Sequence, residues 1–196
     1  MRLNRLHFPT LDSTNKWSKE HLHQMPKREI TLITADCQTA GKGQFRRKWL
    51  SPPGVNIYAS FCFFIDHLRP DIGHLTQVMA LGIVKTAKQF SLIPRIKWPN
   101  DIYLDEKKCA GVLCETTPIE KVLGVIVGVG INVNTTEEVL SLIDQPATSF
   151  ALQGNQKFRR EEILDTVTHH FIHDLPLFLK HGFDPFKRDF DASVGR

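Results

Sequence analysis

Three short stretches hold residues whose types and spacing suit work on an anion. The first is Gln38 to Trp49, QTAGKGQFRRKW. Lys42, Arg46, Arg47 and Lys48 stand beside Gly41 and Gly43, and glycine lets a backbone approach a ligand closely. Trp49 closes the stretch with a flat surface able to stack on a ring. Cations, glycines and a tryptophan suit a phosphate that carries a base, although a solvated basic loop has the same composition. The P-loop pattern GxxxxGK[ST] is absent. The second stretch is Lys97-Trp98-Pro99-Asn100-Asp101, followed by Lys107-Lys108-Cys109-Ala110-Gly111. It brings a cation, an amide and a carboxylate into a small space and suits a triphosphate with its Mg²⁺, since magnesium takes one or two carboxylates plus phosphate oxygens. A tight turn with surface charges is the plain alternative. The third is Gly128-Val129-Gly130-Ile131-Asn132 at the end of an apolar run. It lacks the third glycine and the following helix of a dinucleotide fingerprint. Small residues there still suit a ligand lying against the backbone.

Other candidates carry less. His169 and His173 are four apart on a helical pattern, a spacing that can bind zinc, but no third ligand accompanies them and a solvated face is expected. No GxSxG is present, and nothing nominates Ser-His-Asp or Cys-His catalysis. Cys109, beside Lys108, falls in a strand pattern and reads as inert core. The four cysteines form no CxxC pair. Without an export signal they are expected to be reduced, which makes the cytoplasm the expected location.

The elements that must position these residues follow from periodicity. A short helix is predicted near Asn15, capped by the hydroxyls of Ser13 and Thr14. Residues 30–36 and 55–65 are rich in β-branched and aromatic types and read as strands, with the basic stretch as a long loop between them. From Asp71 to about Phe90, Ile72, Leu75, Met79, Ile83, Ala87 and Phe90 recur at helical spacing. Residues 94–97 and 101–105 are short strands broken by Pro99-Asn100. Residues 108–116 and 121–134 form two more strands, the second apolar enough to lie centrally in a sheet. A tail helix from about Arg159 puts Leu164, Val167, Phe171 and Leu175 on one face, and Pro176 is expected to kink or end it. Strands cluster without regular helical alternation, so the class is α+β.

Composition sets bounds. The 196 residues include 41% hydrophobic and 23% charged, which excludes disordered, collagen-like and coiled-coil classes. The net charge of +4 is compatible with anionic small molecules and does not by itself imply nucleic acid. No apolar run reaches the roughly 20 residues that a membrane-crossing helix needs, and no membrane partner is expected.

Taken together, DSTN at 12–15, QTAGKGQFRRKW at 38–49, KWPND at 97–101, KKCAG at 107–111 and GVGIN at 128–132 resemble the biotin–protein ligase family, in order and spacing, across about residues 6–182. The resemblance implies a central mixed sheet flanked by helices, the fold shared with class II aminoacyl-tRNA synthetases and lipoate ligases. It implies an ATP-dependent ligase that makes biotinyl-5′-AMP and passes biotin to one lysine of a biotin carboxyl-carrier domain, such as that of acetyl-CoA carboxylase. ATP and biotin are then substrates and Mg²⁺ is required. Ser13, Thr14, Asn15 and Gln38 match positions that hold the biotin head group. Gly41, Lys42, Gly43 and Gln44 match the loop over biotin and the adenylate, and Tyr58, Gly111, Leu113, Gly128 and Gly130 match positions lining the biotin cleft. Lys42, Arg46, Arg47, Trp49, Lys97, Asn100 and Asn132 match the nucleotide side. Lys108 matches the lysine between the biotin carboxylate and the α-phosphate, so Lys108 and Lys97 are the catalytic candidates, with Asp101 toward Mg²⁺.

The loop departs from the family's usual GRGRxGRxW. Lys42 and Gln44 replace arginines and Arg46 stands at a glycine position, which loses bidentate forks and implies a looser hold on biotinyl-AMP. Lipoate or octanoate attachment on the same fold and a non-catalytic biotin-binding module are the alternatives. A DNA-binding regulator would need a helix-turn-helix, for which the eleven residues before the DSTN element leave no room. The expectation is therefore a single catalytic domain over residues 1–196, without a DNA-binding domain and without the small C-terminal β-barrel of many relatives, its core ending near Gly182. A monomer or homodimer with no nucleic-acid partner is expected.

Overall fold

The long apolar run near residue 125 forms the middle of a seven-stranded sheet. The computed structural model describes residues 2–44, 47–66 and 69–195. The strands are β1 (Arg2–Leu11), β2 (Glu29–Gln38), β3 (Ile57–Ile65), β4 (Pro94–Lys97), β5 (Asp101–Leu104), β6 (Lys107–Ile119) and β7 (Val122–Ile131), in the spatial order β1-β2-β3-β7-β6-β5-β4. β1 runs parallel to β2, and every other neighbouring pair is antiparallel. The helices are α1 (Thr14–His21), α2 (Leu75–Gln89), the short α3 (Glu137–Leu140) and α4 (Phe150–Gly154), α5 (Arg160–His181) and α6 (Asp184–Ser193). The α+β reading and the central mixed sheet hold.

Alternation along the strands sorts side chains onto two unequal faces. Leu32, Phe61, Phe63, Val125, Val127 and Val129 join the large core, together with Met79 and Ile83 of α2, Phe171 and Phe178 of α5, and Phe186 and Phe190 of α6. The other face holds a small cluster of Leu22, Met25, Ile33, Cys62 and Ile126 under α1 and its 3₁₀ extension. The rest of that face is left to the loops and the cleft described below. Phe171 lies 5.0 Å from Phe61 and 6.0 Å from Phe63, ring centre to ring centre, and is almost wholly buried. Phe171→Ala is expected to cost about 3–5 kcal/mol, read as a lower urea midpoint at unchanged slope. An unchanged midpoint would show that this aromatic cluster does not hold α5 to the sheet.

Two expectations are corrected. Pro176 does not end the tail helix: α5 runs through it to His181. The proline is on the exposed side, while Leu175 and Phe178 beside it are fully buried, so packing carries the helix past the missing N–H. Nor does the packed core stop near Gly182. α6 follows, with Phe186 and Phe190 in the large core, and Val194 then bridges Ile96 on β4. β1 escapes sequence reading because it is an edge strand with mostly exposed or half-buried residues and no apolar alternation. Among the described residues, no helix is long and apolar enough to cross a membrane.

Candidate active site

The glycines of β7 alternate with core valines. Val127 and Val129 point into the large core, so Gly128 and Gly130 open the opposite face. Register extends this floor sideways: Gly128 is paired with Ser60 on β3 and Leu113 on β6, and Gly130 with Tyr58 and Gly111. The floor needs bare backbone. A Cβ on Gly128 would lie 2.2 Å from Asn15 Oδ1, and one on Gly130 would lie 2.5 Å from the Trp49 ring. Above it is a cleft lined by Ser13, Thr14, Asn15 and Gln38 at one end and by Lys42, Arg47, Lys48 and Lys108 at the other.

The polar end is built from the start of α1. Ser13 caps the helix, accepting from Lys16 N at 3.4 Å. Gln38, at the end of β2, accepts from Thr14 N at 2.9 Å through Oε1 and donates to Ser51 Oγ at 3.0 Å through Nε2. Its amide is thereby oriented by two partners. Asn15 is buried between Ser60, which donates to its Oδ1 at 2.6 Å, and Glu115, which accepts from its Nδ2 at 2.9 Å. Hydroxyls and fixed amides of this kind offer directed donors and acceptors to a small polar ring.

The basic loop turns back over the cleft as a small hairpin. Lys42 bridges Lys48, Gly43 N donates to Arg47 O at 2.7 Å, and Trp49 N donates to Gly41 O at 2.9 Å. Among the described residues, no carboxylate pairs with Lys42, Arg47 or Lys48, so their charge is available to an anion. Lys108 is held harder. Its backbone is pinned by Lys108 N donating to Pro146 O at 3.0 Å and Thr148 N donating to Lys108 O at 2.9 Å. Its Nζ is 2.7 Å from Asp101 Oδ1 and 5.6 Å from the centre of the Trp49 ring. A mostly buried ammonium against a carboxylate and an indole face is fixed in place before any ligand arrives.

Of the residues nominated from sequence, Ser13, Thr14, Asn15, Gln38, Lys42, Gly43, Gln44, Arg47, Trp49, Asp101, Lys108, Gly111, Leu113, Gly128 and Gly130 line this one cleft. Gly41 sits at the root of the hairpin, where a Cβ would meet Trp49 O at 2.6 Å. Asn132 lines a smaller adjoining pocket that shares Lys48, Trp49, Lys108 and Gln145 with the cleft, with its Nδ2 on Thr148 O at 3.1 Å. Three others lie outside both cavities. Tyr58 is buried with its hydroxyl on Pro52 O at 2.8 Å, and burial pushes its phenol upward. Asn100 is buried and donates to the Val112 carbonyl, tying the turn after β4 to β6. Lys97 is exposed, its Nζ 5.2 Å from the centre of the Tyr103 ring. Arg46 lies outside the described residues. Cys109 is fully buried, and burial pushes its thiol well above the usual range, so the inert-core expectation fits. Among the described residues, no cluster of three or more His, Cys, Asp or Glu side chains could hold a metal, His169 and His173 included.

Sequence reasoning passes over Ser60, Glu115 and Gln145. Gln145 lines both cavities from the segment after α3. Ser60 carries a faint signal as the one serine inside the apolar run IYASFCFFI. Glu115 and Gln145 carry none, since their places depend on strand register and loop path.

Comparison with known proteins agrees with this architecture. The family model described as "Biotin/lipoate A/B protein ligase family" matches residues 7–132. The bifunctional ligase/repressor BirA of Bacillus subtilis (strain 168) is 34% identical over 190 residues, covering 93% of this chain and 57% of its own length. Biotin–protein ligase 1, chloroplastic, of Arabidopsis thaliana is 31% identical, covering 89% of this chain and 48% of its own. The chain thus spans about half the length of these curated relatives. Among solved structures, the Aquifex aeolicus biotin protein ligase in complex with biotin and ATP superposes with a TM-score of 0.78 at 30% identity, covering 97% of this chain and 78% of that one. Leishmania major biotin protein ligase with biotinyl-5-AMP shares the fold, at a TM-score of 0.77 and 19% identity. With its glycine-floored cleft, its fixed lysine and a match over most of its length, the chain belongs to the biotin/lipoate A/B protein ligase family.

Proposed function

We propose that this chain activates biotin with ATP to biotinyl-5′-AMP and transfers the acyl group to one lysine of a biotin carboxyl-carrier domain. The observation that carries the reading is Lys108, a pinned ammonium 3.5 Å from where a Cβ on Gly111 would fall, in one cleft with the polar end and the basic loop. The polar end, with Ser13, Thr14, Asn15 and Gln38, suits a cyclic urea. Lys42, Arg47 and Lys48 suit the phosphates, and the Trp49 ring and the adjoining pocket beside Asn132 suit the base.

In the first step a biotin carboxylate oxygen bonds to the α-phosphorus, and the bond from that phosphorus to the bridging oxygen breaks, releasing pyrophosphate. The nucleophile is already anionic, so no general base is needed. Positioning and neutralisation of phosphoryl charge supply the acceleration, and Lys108 is placed for both. In the second step the neutral amine of the carrier lysine attacks the acyl carbon, the pair of electrons of the acyl–oxygen bond leaves with AMP, and the amine gives up one proton to solvent as the amide forms. Asp101 is the carboxylate lining the cleft among the described residues. One carboxylate fits a magnesium that arrives with the nucleotide, because such an ion keeps phosphate and water oxygens as its other ligands. Asp101 would hold it, and the ion would supply neutralisation of phosphate charge.

Incubation with labelled biotin, ATP and an isolated carrier domain tests the proposal. Label on one carrier lysine, dependent on ATP, is the expected result, and an unlabelled carrier beside consumed ATP would contradict it. The loop adds a second expectation. Gln44 lines the cleft where relatives with the usual loop have an arginine. Gln44→Arg is expected to slow release of biotinyl-AMP by roughly three- to tenfold through a charge-assisted bond, measured as the off-rate of preformed adenylate. An off-rate unchanged by the substitution would contradict the looser hold.

A further inference from the structure

Asn15 reaches the cleft with both ends of its amide already engaged. Ser60 Oγ donates to Oδ1 at 2.6 Å, and Nδ2 donates to Glu115 Oε2 at 2.9 Å. The orientation follows from chemistry: a carboxylate only accepts, so the edge facing Glu115 is the NH₂ group, and the oxygen must receive the Ser60 hydroxyl. The three residues come from α1, β3 and β6, so only the assembled sheet brings them together. Gly128 closes a further side, since its backbone leaves no room for a Cβ beside Asn15 Oδ1. Asn15 lines the cleft, whereas Ser60 and Glu115 do not. What the amide still offers a ligand is its second N–H and its second lone pair, and both directions are set from behind.

We infer that Glu115 is a positioning residue for ligand recognition, acting through Asn15 to present the amide in one of its two orientations. The inference rests on the biotin reading of this cleft, where a ureido ring has donors and an acceptor that must meet the correct edge. Loss of the carboxylate releases the amide to rotate and offer oxygen where nitrogen is needed. A glutamine side chain at this position would keep an acceptor, so Glu115→Gln conserves the function while Glu115→Ala does not.

The test is calorimetric titration of the full chain with biotin alone, beside steady-state adenylate formation. Glu115→Ala is expected to weaken biotin about tenfold, the size of one lost polar interaction with its orienting effect, and to raise KM for biotin with kcat and KM for ATP unchanged. Glu115→Gln is expected to stay within about twofold of wild type. In an Asn15→Ala background, Glu115→Ala is expected to add no further loss, because the residue it acts through is gone. Ser60→Ala attacks the same amide from its other end and should weaken biotin in the same direction, which keeps the test open if Glu115→Ala folds poorly. Wild-type affinity in both Glu115→Ala and Ser60→Ala would overturn the inference, as would a Glu115→Ala loss undiminished by Asn15→Ala. A wild-type protein that does not bind biotin would overturn the biotin reading itself, and this inference with it.

Discussion

Lys108→Ala is expected to bind biotin within a few-fold of wild type yet to form adenylate about 10²–10³ times more slowly, the usual effect of losing one preorganised charge at a transition state. The Lys108 backbone is tied to the 146–148 segment and its ammonium is fixed by Asp101 and Trp49. Phosphoryl transfer spreads charge over the phosphoryl oxygens, and a cation already in place needs no reorganisation to meet it. Biotin alone carries no phosphate, and its ring would rest on the opposite end of the cleft. Affinity and rate should therefore separate. Single-turnover adenylate formation beside biotin titration measures both. A variant that loses the two in equal proportion would show that Lys108 serves binding only, and an unimpaired rate would remove it from the chemistry.

Gly128→Ala is expected to weaken biotin by at least tenfold and to destabilise the fold by about 1–3 kcal/mol, the range for adding a methyl group to a packed site. The new Cβ would fall 2.2 Å from Asn15 Oδ1. Asn15 cannot swing aside cheaply, because Ser60 and Glu115 hold both ends of its amide. Either α1 shifts or one of those bonds breaks, and both disturb the polar end. Equilibrium unfolding and biotin titration together read the two effects. Wild-type affinity in a stably folded Gly128→Ala protein would show that the floor tolerates a side chain and that Asn15 is not clamped.

The parts of this fold that are legible in the sequence are those whose burial leaves a period. β2, β3 and β7 carry dense β-branched or aromatic runs, and α2 shows a continuous helical stripe. β1 leaves no such mark because one of its edges is unpaired and most of its side chains meet solvent. α6 is short and polar apart from Phe186 and Phe190, which two residues do not suffice to announce. Pro176 misleads because a local rule is applied where tertiary packing prevails, with Leu175 and Phe178 anchoring the helix on either side.

The site follows the same logic. The glycines at 128 and 130 are legible as small residues in an apolar strand, and the loop as cations beside glycines. Sequence adjacency overreaches within the 97–101 stretch: Asp101 lines the cleft, Asn100 turns inward to the Val112 carbonyl, and Lys97, although paired with Asp101 across the β4–β5 turn, is exposed with its Nζ over the Tyr103 ring. The turn sends Asn100 inward beside an Asp101 that lines the cleft, so neighbours that a motif lists side by side part company. Ser60 and Glu115 stand 45 and 100 residues from Asn15, and their roles exist only through the register of β3, β7 and β6.

The central claim is that this cleft joins biotin, and not another acid, to a nucleotide. Pyrophosphate release from ATP in the presence of biotin, lipoate or octanoate, with the product identified by mass, tests it most directly. Pyrophosphate with biotin, a biotinyl-AMP product, and little release with the other two acids are expected. Equal release with lipoate or octanoate, or none with biotin, would contradict it.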